Sequence, residues 1–221
     1  MFKDFLSYHA WARGTIDARL DKDADLIHFS DFMRYMIKGG KRLRGTLCLL
    51  ISQALGGDSE ESLPYACAIE MVHAATLAHD DFIDGHGTRR GRIPLYRVLD
   101  PRRAVLLADM LLSTSAHRVA SLGSTDGYQT LTKAIYEVSR GVFYEPLNPV
   151  PFIREIRSGK IEKRLYRVLI RLKTAELFGA ACKLGAIAAG ADVSDRLRAY
   201  SYGIAVGEAF QVADDLVDIL I

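Results

Sequence analysis

The sequence has few of the features that mark secreted, membrane or metal-thiolate proteins. It contains only three cysteines, and Cys48, Cys67 and Cys182 are too far apart to form a zinc-binding or dithiol redox motif. No uninterrupted apolar run approaches the roughly 20 residues that a membrane-spanning helix needs. The first residues include an early aspartate and lack the apolar segment of a signal peptide. We therefore expect a cytoplasmic protein with reduced thiols and no membrane span.

An excess of one charge is also missing. The 29 basic and 27 acidic residues give a formal net charge of +2, and no block of like charges occurs. This balance gives no reason to expect a nucleic-acid partner. Prolines are few, with six in 221 residues, and they lie at the edges of apolar segments. Between them the apolar residues recur with a period near 3.6 and do not alternate as in strands, which predicts an all-α helical bundle.

Glycine pairs and single glycines divide this pattern into segments. Gly39-Gly40, Gly56-Gly57 and Gly85 are expected to end helices, and Ser59 is a candidate N-cap. Residues 85–99 are predicted to form a basic loop. The predicted helices cover about 2–20, 30–38, 43–55, 60–84, 101–122, 126–144, 160–190 and 194–221, with a proline-rich connector at 145–151.

The length is sufficient for one sizeable core, so we predict a single helical domain over residues 1–221. Its last residues, up to Ile221, are apolar and lie within a predicted helix that has no capping residue. A bare apolar end is unfavourable in water. We therefore expect that C-terminal helices are missing and that the domain is truncated there.

Two acidic clusters with the same spacing are the most distinctive feature of the chain. Both follow the pattern Asp-Asp-x-x-Asp, and they comprise Asp80, Asp81 and Asp84 in the first and Asp214, Asp215 and Asp218 in the second. Residues four apart lie on one face of a helix, so Asp80 shares a face with Asp84, and Asp214 shares a face with Asp218. Two such clusters facing each other would repel unless cations lay between them. Mg²⁺ bridging to phosphate is the commonest arrangement of that kind.

Basic residues accompany the acidic clusters at three places, namely Lys41-Arg42-Leu43-Arg44, Arg89-Arg90 and Lys173-Thr174. The first stands at the predicted start of a helix, where backbone N–H groups favour an anion. Arginine forks match phosphate oxygens, and lysine acts as a point charge. His73 lies about 10 Å along the axis from Asp80 on nearly the same face, and Gln211 precedes the second cluster by one turn.

Each of these features also has a purely structural interpretation. A lone acidic cluster is usually a solvated helix end, and a lone histidine is more often a core residue. Gly203 and Gly207 are expected to permit close helix packing. The combination of two identical acidic clusters with three basic sites, however, favours a metal-dependent site for phosphorylated substrates.

In their order and spacing these motifs resemble the trans-prenyl diphosphate synthase (polyprenyl synthetase) family. The matching segments are Gly39-Gly-Lys-Arg-Leu-Arg44, His73, Asp80-Asp-Phe-Ile-Asp84, Thr88-Arg-Arg-Gly91, Asp109-Met-Leu-Leu112, Lys173-Thr-Ala-Glu-Leu177 and Phe210-Gln-x-x-Asp-Asp-x-x-Asp218. The resemblance implies an isoprenoid-synthase-type bundle around a central cavity, with about three Mg²⁺ per active site. It also implies a homodimer. The implied reaction transfers an allylic prenyl group onto isopentenyl diphosphate by ionisation, condensation and elimination, giving an all-trans polyprenyl diphosphate.

The resemblance also implies a role for each motif residue. The direct Mg²⁺ ligands would be Asp80, Asp84 and Asp214, supported by Asp81, Asp215 and Asp218. The catalytic residues would be Asp80, Asp81, Asp84, Lys173, Asp214 and Asp215. The allylic substrate would contact Arg89, Lys173, Thr174 and Gln211, and isopentenyl diphosphate would contact Lys41, Arg44, His73 and Arg90.

The sequence departs from the family pattern at two functional places. Gly45 replaces the proline usual after the first basic motif and is expected to loosen that helix start. Val142 replaces a usual glutamine, which puts one polar contact near the active site in doubt.

The small side chains of Ala75 and Thr76 precede the first acidic cluster, where short-chain synthases have bulky aromatic residues. This should leave a tunnel open towards Val72, Met71 and Ala68. We therefore expect a product of geranylgeranyl length or longer.

Two other functions remain open. A terpene cyclase or head-to-head synthase is also helical and Mg²⁺-dependent, but it needs no second diphosphate site, so Lys41, Arg44 and His73 argue against it. An inactive regulatory subunit of a hetero-oligomeric prenyl synthase usually lacks one acidic cluster, whereas this chain has both. The missing C-terminal segment and Val142 keep that second interpretation open.

Overall fold

The computed structural model describes residues 2–25, 29–85, 87–88, 91–144, 158–159 and 163–220. The regular structure in these ranges is helical, which confirms the predicted all-α bundle. No helix in the same ranges is both long and apolar enough to cross a membrane. The helices are α1 (Phe5–Asp25), α2 (Ser30–Ile37), α3 (Leu43–Ala54), α4 (Ser59–Ile83), α5 (Leu95–Val98), α6 (Pro101–Ser121), α7 (Thr125–Tyr144), α8 (Lys163–Ile170), α9 (Glu176–Ala188) and α10 (Val193–Leu220), with a π-helical turn (Arg171–Ala175) between α8 and α9.

Helix α4 is the central element, because it packs against α1, α2, α3, α6 and α9. It begins at Asp58, whose side chain accepts the Glu60 amide at 3.0 Å, so Asp58 rather than the predicted Ser59 is its N-cap. It ends at Asp84, followed by Gly85 with a φ of 65°, as the sequence predicted. The first acidic cluster therefore occupies the C-terminal end of the central helix.

The helix predicted over 160–190 is interrupted by the π-helical turn. Glycines on both neighbouring helices make room for this wider turn. A Cβ on Gly141 of α7 would lie 2.8 Å from the Lys173 backbone nitrogen, and one on Gly207 of α10 would lie 2.5 Å from Ala175 Cα. Such turns within α-helices frequently occur at functional sites, and this one carries Lys173.

Helix α9 lies between α4 and α10 and also packs against α3 and α7. A Cβ on Gly203 of α10 would lie 2.4 Å from the carbonyl oxygen of Phe178, which confirms the close packing predicted for Gly203 and Gly207. On the other side of α9, a Cβ on Gly185 would lie 2.2 Å from the carbonyl oxygen of Cys48. Helices α3, α9 and α10 are thus held together by backbone contacts.

The three cysteines are free and buried, in agreement with the expectation of reduced thiols. Burial raises the pKa of the Cys182 thiol to about 12. It also raises the pKa of Cys67. The thiols therefore stay protonated near neutral pH, which makes them poor nucleophiles and poor metal ligands.

The contact at Gly185 predicts a large loss of stability on substitution. Gly185→Ala should lower the free energy of unfolding by about 3 kcal/mol, because the new methyl group meets a backbone carbonyl that only a helix shift can move. Urea denaturation measures this change. The control is Gly14→Ala in α1, where a Cβ would have no neighbour within 4 Å. This substitution should raise the free energy of unfolding by about 0.5–1 kcal/mol, because alanine favours the helix more than glycine does. Equal stabilities of both variants would contradict the packing of α9 on α3.

Candidate active site

The first acidic cluster splits into two faces at the end of α4. Asp80 is half-buried and Asp84 is exposed at the helix C-cap, where its amide donates to the Asp80 carbonyl oxygen at 2.8 Å. Asp81 is buried and lines a separate small pocket with Lys38 and Arg92. Asp80 and Asp84 are thus more accessible than Asp81, in line with the shared helix face that their spacing predicts.

A fourth carboxylate approaches this end of α4 from α6. Asp109 Oδ1 lies 3.1 Å from Nε2 of His79, which immediately precedes the acidic cluster. Asp109 belongs to a segment that matched the family pattern, but its sequence position alone predicted no role for it. The contact shows that α6 adds a polar group beside the first acidic cluster.

The second acidic cluster is built into a chain of hydrogen bonds between α8, the π-helical turn and α10. Thr174 Oγ1 donates to Gln211 Oε1 at 2.6 Å, and Gln211 Nε2 donates to Asp215 Oδ1 at 2.7 Å. The Tyr166 hydroxyl donates to the other oxygen of Asp215. Asp214, by contrast, is exposed. Both oxygens of Asp215 are thus oriented by neutral donors, and Gln211 has its amide engaged at both ends.

Tyr166 was missed by the sequence interpretation. It lies seven residues before Lys173 and belongs to no motif. A tyrosine on an amphipathic helix is usually interpreted as a packing residue. Burial raises its pKa, and the hydrogen bond to Asp215 raises it further, so the hydroxyl remains a donor at neutral pH. Residues that orient a metal-binding carboxylate in this way commonly tune the metal affinity.

Removing that hydroxyl should weaken cation binding at the second cluster. We expect Tyr166→Phe to reduce the affinity for Mg²⁺ and inorganic pyrophosphate added together by roughly tenfold, because Asp215 loses one of its two orienting donors. Isothermal titration calorimetry gives the affinity. The matched control is Tyr202→Phe, which removes an exposed hydroxyl from α10, the helix that carries Asp215. The same affinity in both variants would show that Tyr166 has no part in orienting Asp215.

The π-helical turn is fixed by a second polar cluster. Glu176 is buried, pairs with Arg171 Nε at 3.3 Å and accepts a hydrogen bond from the Tyr200 hydroxyl of α10. Burial and then this bond raise the pKa of Tyr200 to about 12. Lys173 and Thr174 therefore lie on a turn that is anchored to α10, the helix that carries the second acidic cluster.

The three cations of the basic turn, residues 39–45, differ in exposure. Lys41 is exposed, and the Arg44 guanidinium carbon lies 4.3 Å from the centre of the Phe178 ring of α9. Arg42 instead points inward and is 4% exposed. His73 lies half-buried on α4. Arg89, Arg90 and the Asp218 side chain lie outside the described residues.

Two expectations about the start of α3 are wrong. Gly45 does not loosen it, because its amide donates to Glu70 Oε1 at 2.8 Å, and a Cβ there would lie 2.7 Å from Ile16 Cδ1. The Gly45 amide is also not available to a bound anion, since the buried carboxylate of Glu70 takes it. The helix N-terminus thus binds an internal anion.

The donors at the two acidic clusters suit a hard divalent cation. These donors are carboxylate oxygens. Asp84 and Asp214 are exposed, and they lie on α4 and α10, which both pack against α9. Within the part of the chain that the structure describes, no three histidine, cysteine or carboxylate side chains converge to form a closed metal site. Mg²⁺ is usually held by one or two carboxylates, with water and substrate phosphate as the other ligands. Exposed carboxylates on separate helices fit this way of binding Mg²⁺.

Comparison with known proteins identifies the family. Residues 27–220 match the family model described as polyprenyl synthetase. The chain is 38% identical over 180 residues to heptaprenyl diphosphate synthase component 2 of Geobacillus stearothermophilus, covering 81% of this chain and 54% of that protein. It is 30% identical over 210 residues to octaprenyl diphosphate synthase of Escherichia coli, covering 95% and 62%. The chain thus spans less than two thirds of the length of these relatives.

A solved structure shows the same fold. The crystal structure of polyprenyl synthase from Caulobacter crescentus, complexed with calcium and isoprenyl diphosphate, superimposes with a TM-score of 0.76 at 28% identity. The superposition covers 96% of this chain and 62% of that one. The arrangement of helices around the two acidic clusters is therefore shared with a protein that was crystallised with a divalent cation and a diphosphate.

Proposed function

The chain belongs to the polyprenyl synthetase family, and we propose that it is a prenyltransferase that joins an allylic diphosphate to isopentenyl diphosphate. The observation that carries this proposal is the meeting of four elements on α9. These are α4 and α10, which carry the acidic clusters, the π-helical turn with Lys173, and α3, whose Arg44 lies over Phe178. Consumption of isopentenyl diphosphate only when an allylic diphosphate is also present would support the proposal.

The allylic diphosphate would lie between the acidic clusters, with Lys173 and Arg89 on its oxygens. Mg²⁺ held by Asp80, Asp84 and Asp214 would supply Lewis-acid stabilisation of the charge on the leaving diphosphate. Lys173 adds a positive charge that the anchored π-helical turn holds in place.

The reaction needs three changes in bonding. The allylic C–O bond breaks, and its electron pair leaves with the diphosphate. The double bond of isopentenyl diphosphate, held at Lys41, Arg44, His73 and Arg90, then supplies the electrons of the new C–C bond. Loss of a proton from the adjacent carbon forms the new double bond, and the departed diphosphate is a suitable base. The reaction also requires that water be excluded, because water would convert the carbocation to an alcohol.

The positive charges of the basic turn favour this reaction over that of a terpene cyclase, because a cyclase binds a single diphosphate substrate. Lys41 lies just before α3 and Arg44 lies in its first turn, whereas Lys173 lies on the π-helical turn. Two separate sets of cations suit two diphosphates. A protein that ionises allylic diphosphates without consuming isopentenyl diphosphate would instead be a cyclase.

We propose that the protein works as a homodimer through α7. That helix exposes Tyr136, Phe143 and Tyr144, with Phe143 83% exposed, and apolar surface of this kind is typical of an interface. The relative from Geobacillus stearothermophilus is named a component, which makes a heteromer the second candidate. Sedimentation of the purified chain decides between them, because a homodimer needs no other protein.

The product should reach geranylgeranyl length or more, in line with relatives named heptaprenyl and octaprenyl synthases. The positions predicted to line the tunnel, Ala75, Val72 and Met71, are all buried in the main core. Ala75→Phe should shorten the product by one or more five-carbon units, because a ring in this close-packed place displaces the growing chain end.

Chromatography of dephosphorylated products measures the chain length. The control is Ala10→Phe, which adds the same ring at an exposed position of α1. An unchanged product from Ala75→Phe, or a wild type that stops at farnesyl diphosphate, would refute the proposed tunnel.

A further inference from the structure

Arg42 has a conformation and an environment that a surface cation does not need. It is the N-cap of α3 and adopts the left-handed region with a φ of 55°, which is uncommon for a residue other than glycine. Its side chain is 4% exposed, although the preceding Lys41 is exposed. A charged side chain is buried in this way only when it is paired.

The partners of Arg42 come from three different elements. Its Nε donates to Asp17 Oδ1 of α1 at 2.7 Å, and its guanidinium also donates to the Ile37 carbonyl oxygen at the end of α2. Its Nη1 lies 3.5 Å from Glu70 Oε2 of α4. Arg42 therefore ties the basic turn to α1, α2 and α4 at once.

Glu70 uses both of its oxygens on the basic turn. One pairs with Arg42, and the other accepts the Gly45 amide at 2.8 Å. The residue is 2% exposed, and it lies one helical turn before His73 on α4. A single buried carboxylate thus fixes the basic turn against the helix that carries His73 and the first acidic cluster.

Helix α1 adds a further contact to the same turn. His9 Nε2 donates to the Lys41 carbonyl oxygen at 2.7 Å, beside the pair that Asp17 makes with Arg42. All of α1 lies before residue 27, where the match to the family model begins. Helix α1 thus braces the basic turn from outside the segment that the family model matches.

We propose that Glu70 is a positioning residue for isopentenyl diphosphate, which it affects through Arg42 and the Gly45 amide without contacting the substrate. Its carboxylate holds the turn so that Lys41 and Arg44 stand at a fixed distance from His73, and Asp17 supports Arg42 from α1. This inference rests on the proposed prenyltransferase function, which places isopentenyl diphosphate on Lys41, Arg44 and His73. A turn that is fixed before the substrate arrives binds it without a cost of ordering.

The direct test is Glu70→Gln. Glutamine keeps an oxygen for the Gly45 amide but removes the negative charge that faces Arg42. We expect the KM for isopentenyl diphosphate to rise by roughly tenfold or more, because small displacements of binding groups are costly. The KM for the allylic diphosphate should stay within about twofold, since Gln211 is held by Thr174 and Asp215, which lie on elements other than the basic turn.

Two more variants separate positioning from stability. Asp17→Asn disturbs Arg42 from a side chain that is 42% exposed, so the protein should fold, and a smaller rise in the same KM is expected. Asp23→Asn is the control, because Asp23 is an equally buried carboxylate that pairs with Arg19 and Arg118 and does not touch the basic turn. It should lower the Tm and leave the KM unchanged.

Titration calorimetry with isopentenyl diphosphate completes the test. A wild type that fails to bind it would overturn the proposed function itself. Binding by the wild type, with an unchanged affinity in Glu70→Gln and Asp17→Asn, would overturn the positioning role even if both variants had a lower Tm. If Glu70→Gln does not fold, the result for Asp17→Asn decides.

Discussion

We expect Asp80→Ala and Asp214→Ala each to lower kcat by about 10²–10³-fold while the helical content stays that of the wild type. The reason is that the charge on the departing diphosphate has no other comparably strong source of stabilisation. Asp80 is half-buried and Asp214 is exposed, and neither residue caps a helix N-terminus, so the loss of either should have little effect on folding. Steady-state kinetics at saturating substrate and circular dichroism give the two quantities.

The control for these variants is Asp31→Ala, which removes a 95% exposed carboxylate from α2. Its kcat should equal that of the wild type. If Asp80→Ala and Asp214→Ala also kept the wild-type kcat at saturating Mg²⁺, the acidic clusters would be surface patches, and the proposed chemistry would be wrong.

The second large effect is a separation of the two diphosphate sites. Lys173→Ala should lower kcat/KM for the allylic diphosphate by roughly a hundredfold, because a charge-assisted contact to the leaving group is lost. Lys41→Ala should instead raise the KM for isopentenyl diphosphate, with a small effect on the allylic substrate. The structural reason is that the two lysines stand on separate elements, the π-helical turn and the basic turn.

Calorimetric titration of each variant with each diphosphate measures the separation directly. Lys22→Ala, an exposed lysine of α1, controls for the change in overall charge. Equal losses for both ligands in Lys173→Ala and Lys41→Ala would mean that the two lysines share one anion site, as a cyclase would have.

The features that the sequence predicted well are those that depend on neighbours along the chain. The bounds of α3, α4, α6 and α7 follow from apolar periodicity and from stops such as Gly85. The shared face of Asp80 and Asp84 follows from helix geometry alone. Local rules were sufficient because these helices are also amphipathic or fully buried in the final fold.

The features that it missed depend on side chains that are distant in the sequence. Tyr166 meets Asp215, and Arg42 meets Glu70, only because α8 packs on α10 and α3 packs on α4. The π-helical turn likewise depends on Gly141 of α7, which no periodicity within residues 160–190 reveals. Gly45 was misjudged for the same reason, since its fixed position comes from Glu70 and Ile16.

The most direct test of the proposed function is product analysis with isopentenyl diphosphate, Mg²⁺ and each allylic primer in turn. The account predicts all-trans diphosphates lengthened by five-carbon units, reaching geranylgeranyl length or longer, and no product when Mg²⁺ is chelated. Release of inorganic diphosphate should match the number of units added. Cyclic hydrocarbons formed without isopentenyl diphosphate, or no elongation with any primer although both diphosphates bind, would contradict it.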